Sequence, residues 1–371
     1  MNHWNDIAKA DDAAIIEWAA GEPWARAMAA CDQDAQWHAE GDVWTHTKMV
    51  CAELTRLDEW NGLSREQQLI LLFTALLHDV GKPVTTVVNP VTGRTESPKH
   101  ALKGERMARR ILMELETPLP MREEVTQLVS YHGRPVFLIH HKNPQREVIS
   151  LSWKVNHRLL HLFTLADYRG RDSRLRTREE EDLHLWKLVA EENNCYLPPY
   201  RFKNDHARFL YFREQLTDLY FTPHEDFRCT VTLVSGMPGA GKDTWVQTAG
   251  ADLTMVSMDS IRRDGKVRPT DNQGKVAQKA QSLSRELLRE STSFLFNATN
   301  LTRMMRNKWI NFFRDYNARI EIVYVEPPLS ILLKRNRDRQ NPVPEEIVHS
   351  MIDKLEPPTW QEAHRVLYVM D

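Results

Sequence analysis

The segment from Thr230 to Gln247, TVTLVSGMPGAGKDTWVQ, sets a glycine-rich loop between an apolar run and a helical pattern. Val231, Leu233 and Val234 predict a short buried strand, and a helix is expected to begin near Lys242. The spacing G-x-x-x-x-G-K is that of a P-loop, whose backbone N–H groups converge on phosphate and whose lysine reaches the outer phosphates of a nucleoside triphosphate. An ordinary glycine-rich turn is the alternative, but the position between a strand and a helix favours nucleotide binding.

One position departs from the usual P-loop pattern. The residue after the lysine is ordinarily Ser or Thr, which binds Mg²⁺, whereas this chain has Asp243 followed by Thr244. We therefore expect Mg²⁺ to be held through water or by Thr244. The loop residues predicted to bind ATP or GTP with Mg²⁺ are Gly236, Gly239, Gly241, Lys242, Asp243 and Thr244.

At 371 residues the chain is long for one domain, and two domains are expected. The formal net charge of −2 indicates no overall basic character, so a nucleic-acid partner has to be argued from local patches. The four cysteines form no C-x-x-C pair, which disfavours a disulfide framework or a zinc knuckle. Neither a long apolar run nor a basic-then-apolar leader occurs, so the cytoplasm is the expected location and no membrane partner is expected.

From Ile7 to Val189 the apolar residues recur at helical spacing, which predicts an all-α N-terminal domain. Histidines and aspartates are set into these helices, and their side chains are ligands that first-row divalent metals favour. A single histidine on an apolar helix is more often a core residue, so only the group as a whole indicates a metal site. The group consists of His46, His78, Asp79, His100, His132 and Asp167.

The order of these residues resembles the H…HD…D signature of the HD phosphohydrolase superfamily, and LLHDVGKP is the most specific part of the match. In such domains metal-bound water attacks phosphate esters, because the ion lowers the pKa of water and neutralises phosphate oxygens. The resemblance, which extends from about Trp37 to Arg178, implies a first divalent metal such as Mn²⁺, Ni²⁺ or Co²⁺. It also implies that His100 and His132 help to bind a second. The implied ligands of the first metal are His46, His78, Asp79 and Asp167.

Cations close to this pattern suit phosphate binding, because the guanidinium fork matches phosphate oxygens. We expect Lys82, Arg169 and Arg171 to bind phosphate. The arginines from Arg174 onward are better explained as a solvated helix face paired with the acidic residues 179–181. The histidines that fall outside the pattern, and that we expect to be structural or on the surface, are His38, His140, His141, His157 and His161.

The segment NNCYLPPY, residues 193–200, breaks the helical pattern with two prolines, and a strand-type composition begins at Phe227. We place the domain boundary near Pro223, which gives domains at 1–222 and 223–371. Between these features, Asp205–Tyr220 predicts one amphipathic helix that packs under the first domain or bridges to the second.

After the boundary, short apolar strands alternate with helices, which predicts a parallel sheet covered on both faces and an active site beyond the carboxyl ends of the strands. The predicted strands are Thr230–Val234, Leu253–Ser257, Phe294–Asn297, Ile320–Val325 and Val366–Val369. The predicted helices are Lys242–Ala249, Gln273–Arg289, Arg303–Tyr316, Leu329–Arg339 and Glu345–Leu355.

Charged side chains follow the strands of this predicted sheet. Asp259 comes after the second strand, where its carboxylate would take the proton of an acceptor hydroxyl, and Arg262 lies one helical turn further on. In isolation, Asp259 would be interpreted as a helix N-cap. Arg303 follows the third strand, and a proline-flanked segment with Arg335 and Arg339 follows the fourth, as a lid over a transferring phosphoryl group requires.

These elements resemble the polynucleotide 5′-hydroxyl kinase family in the P-loop, the D-x-x-R, the x-A-T-N and the R-x-x-x-R lid followed by V-P. The resemblance implies that Lys242 holds the donor phosphates, Asp259 is the general base and Arg262 grips the phosphate next to the acceptor nucleotide. Asn297, in the x-A-T-N element, stands where relatives often place an acid. The residues implied to stabilise the transition state are Arg335 and Arg339, and Arg303 would contact donor or acceptor.

The two halves together resemble the bacterial HD-Pnk proteins, bifunctional enzymes that heal RNA ends. This resemblance implies that the HD half hydrolyses a 2′,3′-cyclic phosphate or 2′-phosphate, and that the kinase half phosphorylates a 5′-hydroxyl. RNA or DNA ends would then be the partner, and an RNA ligase would act afterwards. Two alternatives stay open: a small-molecule or nucleoside kinase fused to a nucleotide phosphohydrolase, and a non-catalytic nucleotide sensor.

Overall fold

A computed structural model of the protein describes residues 3–173, 178–267 and 271–370. The chain forms two compact units, Met1–Arg201 and Phe202–Asp371. Arg174 and Arg176, part of the predicted solvated face, lie outside the described residues. Across the described ranges, no helix combines the length and the apolar character needed to cross a membrane.

Helices build the first unit, as the sequence predicts. Every residue of Leu69–Leu77 is buried, and a helix that is apolar on every side belongs at the centre of a core. A capping box between Ser64 and Gln67 defines where this helix begins. The helices of the unit are α1 (Trp4–Ile7), α2 (Asp12–Ala20), α3 (Pro23–Ala29), α4 (Val43–Arg56), α5 (Arg65–Leu77), α6 (His100–Glu114), α7 (Leu119–Tyr131), α8 (Pro135–Leu138), α9 (Pro144–Ser152), α10 (His157–Arg169) and α11 (Glu179–Glu192), with 3₁₀ turns at Trp60–Gly62 and Lys82–Val84.

A small hairpin, which the sequence analysis does not predict, interrupts the helices. Its strands are β1 (Val87–Val88) and β2 (Thr95–Glu96), and they pair antiparallel. Each strand has only two residues, too few for any alternation of apolar and polar side chains to be recognised. The hairpin lies in the chain between the turn that follows α5 and the start of α6.

Two glycines let helices of the first unit approach each other closely. A Cβ on Gly81 would lie 2.2 Å from the carbonyl oxygen of His100 and 2.7 Å from the backbone nitrogen of Gly104. A Cβ on Gly170 would lie 2.7 Å from the backbone nitrogen of Val50. These contacts hold α6 against the turn after α5, and the end of α10 against α4.

The second unit contains a parallel sheet flanked by helices, as predicted. Its strand order is β4-β5-β3-β6-β7, and the β3 strand is central and almost wholly buried. The strands are β3 (Cys229–Ser235), β4 (Thr254–Ser257), β5 (Phe294–Asn297), β6 (Ala318–Val325) and β7 (Arg365–Val369). The helices are α12 (Asp205–Tyr211), α13 (Lys242–Ala249), α14 (Met258–Asp264), α15 (Gly274–Arg289), α16 (Arg303–Arg314), α17 (Leu329–Arg337) and α18 (Glu345–Ile352).

The sheet register brings three strand ends to one edge. Asn297 pairs with Ser257 of β4 and with Val234 of β3. Because parallel strands share their direction, the loops that follow these residues lie side by side. The P-loop, the start of α14 and the end of β5 therefore meet at the carboxyl edge of the sheet.

The predicted helix at Asp205–Tyr220 is shorter in the structure and belongs to the second unit. The buried guanidinium of Arg208 donates to the carbonyl oxygens of His364, at 2.6 Å, and Ala363, at 3.3 Å. These contacts attach α12 to the segment that leads into β7. The division between the compact units thus falls at residues 201–202, upstream of Pro223.

We predict that Gly81→Ala destabilises the first unit, because the new Cβ must displace the backbone at His100. Overpacking of this kind costs about 1–3 kcal/mol. Thermal denaturation and Mn²⁺ titration would both report the change, since the start of α6 carries a predicted ligand. Gly62→Ala is the matched control, because a Cβ there meets nothing within 4 Å. Equal stability of the two variants would contradict the prediction.

Candidate active sites

The predicted metal ligands converge on one cleft of the first unit. Its volume is about 240 Å³. The ligands come from five helices or helix ends: α4, the end of α5, the first residue of α6, the end of α7, and α10. The cleft lining includes Asp79, Lys82, His100, His132, Asp167 and Arg171.

The first group of ligands is fully buried. The Nε2 atom of His46 lies 3.0 Å from Oδ1 of Asp167, and Nε2 of His78 lies 3.8 Å from the same oxygen. The candidate ligand atoms of this trio all lie within 4.8 Å of one another. Nε2 of His78 is buried and has no hydrogen-bond partner among the described residues, although Oδ2 of Asp79 lies 3.2 Å from it. A buried lone pair without a donor is what a cation would satisfy.

The second group consists of Asp79, His100 and His132, again within 4.8 Å of one another. The Nε2 atoms of His100 and His132 lie 3.3 Å apart, and Nε2 of His100 lies 3.5 Å from Oδ1 of Asp79. That aspartate oxygen is buried and has no hydrogen-bond partner. The two imidazoles therefore face each other across the cleft beside an unsatisfied carboxylate oxygen.

Backbone carbonyls fix the orientation of three of the rings. Nδ1 lies 2.8 Å from Ala75 O in His78, 2.9 Å from Ser97 O in His100 and 2.7 Å from Val129 O in His132. A carbonyl accepts only, so each Nδ1 is protonated and, in a neutral ring, each Nε2 carries a lone pair. Lone pairs aimed at one another do not bond, but they suit a metal ion, and such carbonyl contacts are typical around metal-binding histidines. The donor set therefore fits divalent metals.

The protonation states of both aspartates and of His132 agree with this arrangement, whereas Asp167 and Glu40, against the effect of burial, raise the pKa of His46. Burial alone would raise the pKa of Asp79 and of Asp167, but neighbouring cations and imidazoles, Lys82 and His78 for the first and His46 for the second, lower both pKa values well below the usual range. Burial lowers the pKa of His132 to about 4. The carboxylates are thus charged and His132 is neutral near pH 7, as metal ligation requires.

Two of the three predicted phosphate-binding cations line the cleft. The Lys82 ammonium lies 2.7 Å from Oδ2 of Asp79, and a guanidinium nitrogen of Arg171 lies 3.6 Å from Oδ2 of Asp167. Among the described residues lining the cleft, Arg169 is absent: its Nε lies 3.0 Å from Oε1 of Glu180. Arg169 was expected to bind phosphate, but it forms a surface ion pair with this exposed glutamate. We correct its assignment accordingly.

The sequence analysis assigned His38 to the surface or to a structural role and overlooked Glu40. Oε1 of Glu40 lies 2.8 Å from Nδ1 of His38 and 3.0 Å from Nδ1 of His46. The Glu40 side chain is only 2% exposed, and His38 lines the cleft. Burial raises the pKa of Glu40, but the hydrogen bond with His38 and the close contact with His46 lower it more strongly, which keeps the carboxylate charged. The signal in the sequence that could have indicated this pair is the H-x-E spacing of His38 and Glu40 just before α4.

The second site is the P-loop of the second unit. The Lys242 ammonium is buried and donates to the carbonyl oxygens of Gly236 and Met237, both at 2.9 Å. Burial lowers the pKa of Lys242 to about 8, while the charges of Asp259 and Asp243 act in the opposite direction. Among the described residues, its hydrogen-bond partners are these two carbonyls, and it lies in the field of the predicted base. This is the state expected of a lysine that binds an anion.

The backbone conformation of the P-loop explains why three of its positions are glycine. Gly236, Gly239 and Gly241 have φ angles of +151°, +81° and +102°, a region that L side chains rarely adopt. A Cβ on Gly236 would also lie 2.4 Å from the carbonyl oxygen of Val325 at the end of β6. The loop therefore packs on the neighbouring strand end, and only glycine fits there.

The acceptor side is formed by α14, a seven-residue helix that starts directly after β4. The side chain of Ser257 caps it by accepting from the backbone nitrogen of Ser260 at 3.2 Å. This places Asp259 and Arg262 one turn apart, and the guanidinium donates to the carboxylate as the D-x-x-R spacing predicts. Ser257, not Asp259, is the N-cap, so the cap interpretation of Asp259 is wrong.

The predicted lid contacts the P-loop. Nη1 of Arg335 donates to the carbonyl oxygen of Ala240 at 3.4 Å, and the charge of Arg339 is close enough to lower the pKa of Lys242. Buried Asn336 ties down the following loop: its Nδ2 donates to Val343 O at 2.8 Å, and its Oδ1 accepts from Val343 N at 3.2 Å. The arginines of the lid thus lie at the mouth of the loop.

Arg303 contacts acidic side chains of the C-terminal segment, and its contact with the nucleotide stays a prediction. Its backbone nitrogen donates to Oε2 of Glu356 at 2.8 Å, and its Nε lies 3.7 Å from Oε1 of Glu362. The nearby Arg306 is fully buried and holds the same Glu362 carboxylate through Nε at 2.7 Å and Nη2 at 2.9 Å. These contacts indicate that both arginines help to anchor the C-terminal segment.

The two departures from the usual P-loop pattern are in contact. Nδ2 of Asn297, at the end of β5, donates to Oδ1 of Asp243, in the first turn of α13, at 3.0 Å. Thr244 is exposed in the same turn. A carboxylate, an amide and a hydroxyl thus adjoin the loop, and these oxygen donors suit Mg²⁺.

Comparison with known families agrees with this division of the chain. The family model of the HD domain matches residues 43–171, and that of the AAA domain family AAA_33 matches residues 231–358. The protein therefore joins an HD domain to a P-loop kinase-like domain in one chain.

Three known proteins that are similar to parts of the chain are named as kinases. Over 133 residues it is 24% identical to the L-seryl-tRNA(Sec) kinase of Methanococcus maripaludis, a match covering 34% of this chain and 52% of that protein. The chain thus spans about half the length of this curated relative. A sugar kinase from Janibacter and a gluconokinase from Sinorhizobium meliloti have similar structures at 16% identity, with TM-scores of 0.31 and 0.28. They cover 38% and 39% of this chain, and 85% and 83% of their own chains.

We predict that Glu40→Gln weakens metal binding in the cleft about 10–100-fold, because it removes the carboxylate that orients His46. Mn²⁺ titration by calorimetry would measure the loss, and the melting temperature of the metal-free protein should change little. Glu53→Gln, on α4 with His46, is the control because Glu53 forms an ion pair with exposed Arg56. Wild-type Mn²⁺ affinity in Glu40→Gln would refute the orienting role.

We also predict that nucleotide affinity depends on pH through Lys242. Its pKa of about 8 means that the ammonium loses its proton above that pH, whereas phosphate binding needs the charged form. The Kd for ADP should therefore rise about tenfold per pH unit above 8. Lys242→Arg, which keeps its charge, should show a flat profile between pH 7 and 9.5. A flat profile for the wild type would contradict the prediction.

Proposed function

We propose that the protein is a bifunctional repair enzyme for RNA ends. Its first unit would act as a metal-dependent 2′,3′-cyclic phosphodiesterase and 2′-phosphatase, and its second as an NTP-dependent polynucleotide 5′-hydroxyl kinase. The observation that carries the proposal is the presence, in one chain, of a buried metal-ligand cluster beside two phosphate-binding cations and of a P-loop beside an Asp–Arg pair.

In the first unit, each residue group has a distinct task. Divalent ions such as Mn²⁺, Ni²⁺ or Co²⁺ would supply water of lowered pKa and neutralise phosphate oxygens. Lys82 and Arg171, at 2.7 Å and 3.6 Å from the aspartates, hold positive charge at the cleft wall, where the phosphate ester would bind. Because these cations are paired with ligand carboxylates, phosphate and metal would be held by one connected network.

In the second unit, the loop amides and Lys242 would bind the donor phosphates of ATP or GTP with Mg²⁺. Asp259 would accept the proton of the 5′-hydroxyl, and Arg262, paired with it, would reach the phosphate of the acceptor nucleotide. Arg335, against the P-loop, would stabilise charge on the transferring phosphoryl group. Arg339, whose charge acts on Lys242, would stabilise the same phosphoryl group.

Nucleic acid as the shared substrate explains why both chemistries occur in one chain. A break that leaves a 2′,3′-cyclic phosphate and a 5′-hydroxyl cannot be sealed by a ligase that needs a 3′-hydroxyl and a 5′-phosphate. The two units would convert both ends into that form, and an RNA ligase would act next. The curated relative is named for a tRNA-linked acceptor, which also favours an RNA substrate.

The test uses one RNA that carries both damaged ends, with labelled ATP or GTP and Mn²⁺. Asp79→Ala should abolish removal of the cyclic or 2′-phosphate and spare the kinase. Asp259→Ala should lower 5′-phosphorylation about 10²–10⁴-fold and spare the phosphoesterase. Each variant is thus the control for the other.

Three outcomes would overturn the proposal. A mononucleotide or sugar accepted far better than the oligonucleotide would indicate a small-molecule kinase. Nucleotide binding without turnover at either end would indicate a sensor. Equal label transfer by the wild type and Asp259→Ala would remove that residue as the base.

A further inference from the structure

The cation-binding side of the P-loop is where this chain differs from ordinary P-loop enzymes. In those enzymes Mg²⁺ is held by the Ser or Thr after the P-loop lysine and by an aspartate at the end of a neighbouring strand. Here the first position is Asp243, and the end of β5 is Asn297. The acidic side chain therefore stands where ordinary P-loop enzymes have a neutral one, and the neutral side chain stands where they have an acidic one.

The structure brings these two positions into direct contact. Asn297 pairs in register with Val234, two residues before Gly236, and its Nδ2 reaches Oδ1 of Asp243 at 3.0 Å. Asn297 is only 3% exposed, whereas Asp243 is exposed. The neutral amide of Asn297 is therefore buried, and the charged carboxylate of Asp243 is exposed to solvent.

This arrangement has an electrostatic reason. A second carboxylate at position 297 would face that of Asp243 about 3 Å away, and two such charges do not both ionise easily. The asparagine amide instead donates to one oxygen of Asp243 and orients it. Over the described part of the chain, Oδ2 of Asp243 accepts no recorded hydrogen bond. Oδ1 of Asp243 is thus held by Asn297, and Oδ2 is available to bind a cation.

The charge of Asp243 also acts on the nucleotide site itself. It counteracts the effect of burial on the pKa of Lys242, as does Asp259. The carboxylate therefore lies in the electrostatic field of the group that would bind the donor phosphates. Mg²⁺ is commonly held by one or two carboxylates together with substrate phosphates.

We propose that Asp243, oriented by Asn297, is the protein ligand for the Mg²⁺ of the bound nucleotide, so that the acidic and neutral positions of the ordinary P-loop are exchanged. This inference rests on the proposed kinase function. It predicts that the usual arrangement can be rebuilt by exchanging both residues together.

The experiment compares the Kd for ADP in Mg²⁺ with the Kd in EDTA, using the full chain and a fluorescent ADP. The same comparison in an Asp79→Ala background, in which the HD metal site is disrupted, checks that the ratio of the two constants reports the P-loop alone. The wild type should bind ADP at least tenfold more tightly with Mg²⁺. Asp243→Asn should bring the ratio close to one without changing the Kd in EDTA more than a few-fold.

The reciprocal exchange gives the sharper result. Asn297→Asp alone should bind ADP more weakly in EDTA, because two carboxylates then face each other. The double variant Asp243→Ser with Asn297→Asp should regain a ratio within a few-fold of the wild type. Asp252→Asn, an exposed aspartate beyond the end of α13, is the matched control and should leave the ratio unchanged.

The outcomes separate the inference from the function on which it rests. A wild-type ratio in Asp243→Asn, or a double variant no better than either single one, would overturn the exchange while leaving the kinase proposal intact. If the double variant does not fold, the ratio in Asp243→Asn decides. Absence of ADP binding by the wild type would instead overturn the kinase proposal.

Discussion

Both sites depend on points where one backbone approaches another more closely than a side chain would permit. A Cβ would lie 2.2 Å from the carbonyl oxygen of His100 if Gly81 carried one, and 2.4 Å from that of Val325 if Gly236 did. The first contact holds two metal-ligand segments together, and the second seats the phosphate loop on a strand end. Because these contacts are between main chains, the functional side chains start from fixed positions and need little adjustment.

The two units bury charge in opposite ways, and each way suits its ligand. In the HD cleft, Asp79 and Asp167 are buried, and nearby cations and imidazoles compensate them. Such pairing makes burial of a carboxylate tolerable and leaves oxygens for a cation. In the P-loop the buried group is the ammonium of Lys242, held by carbonyl oxygens. An acidic cleft attracts metals, and an under-compensated ammonium attracts phosphate.

Sequence reasoning predicted the fold class and most strands because each depends on local patterns. Phe294–Asn297 and Lys242–Ala249 are predicted to the residue, since an apolar run and a P-loop are recognisable by themselves. What it missed depends on contacts that form only when elements fold against each other. Glu40 becomes important only when α4 brings His46 beside it, and Arg169 is excluded only when α11 supplies Glu180. The division at residues 201–202 likewise depends on a contact between Arg208 and the distant His364.

The contact between Asp243 and Asn297 shows what such long-range information adds. Taken singly, each residue weakens the match to a P-loop kinase, since one lacks the hydroxyl and the other lacks the acid. Taken as a hydrogen-bonded pair 54 positions apart, they still supply one carboxylate and one neutral polar group, with the two locations exchanged. Two departures that touch constrain each other, because changing either one alone leaves a carboxylate pair or no carboxylate at all. A departure from a motif therefore counts against a function only after its spatial neighbours have been checked for compensation.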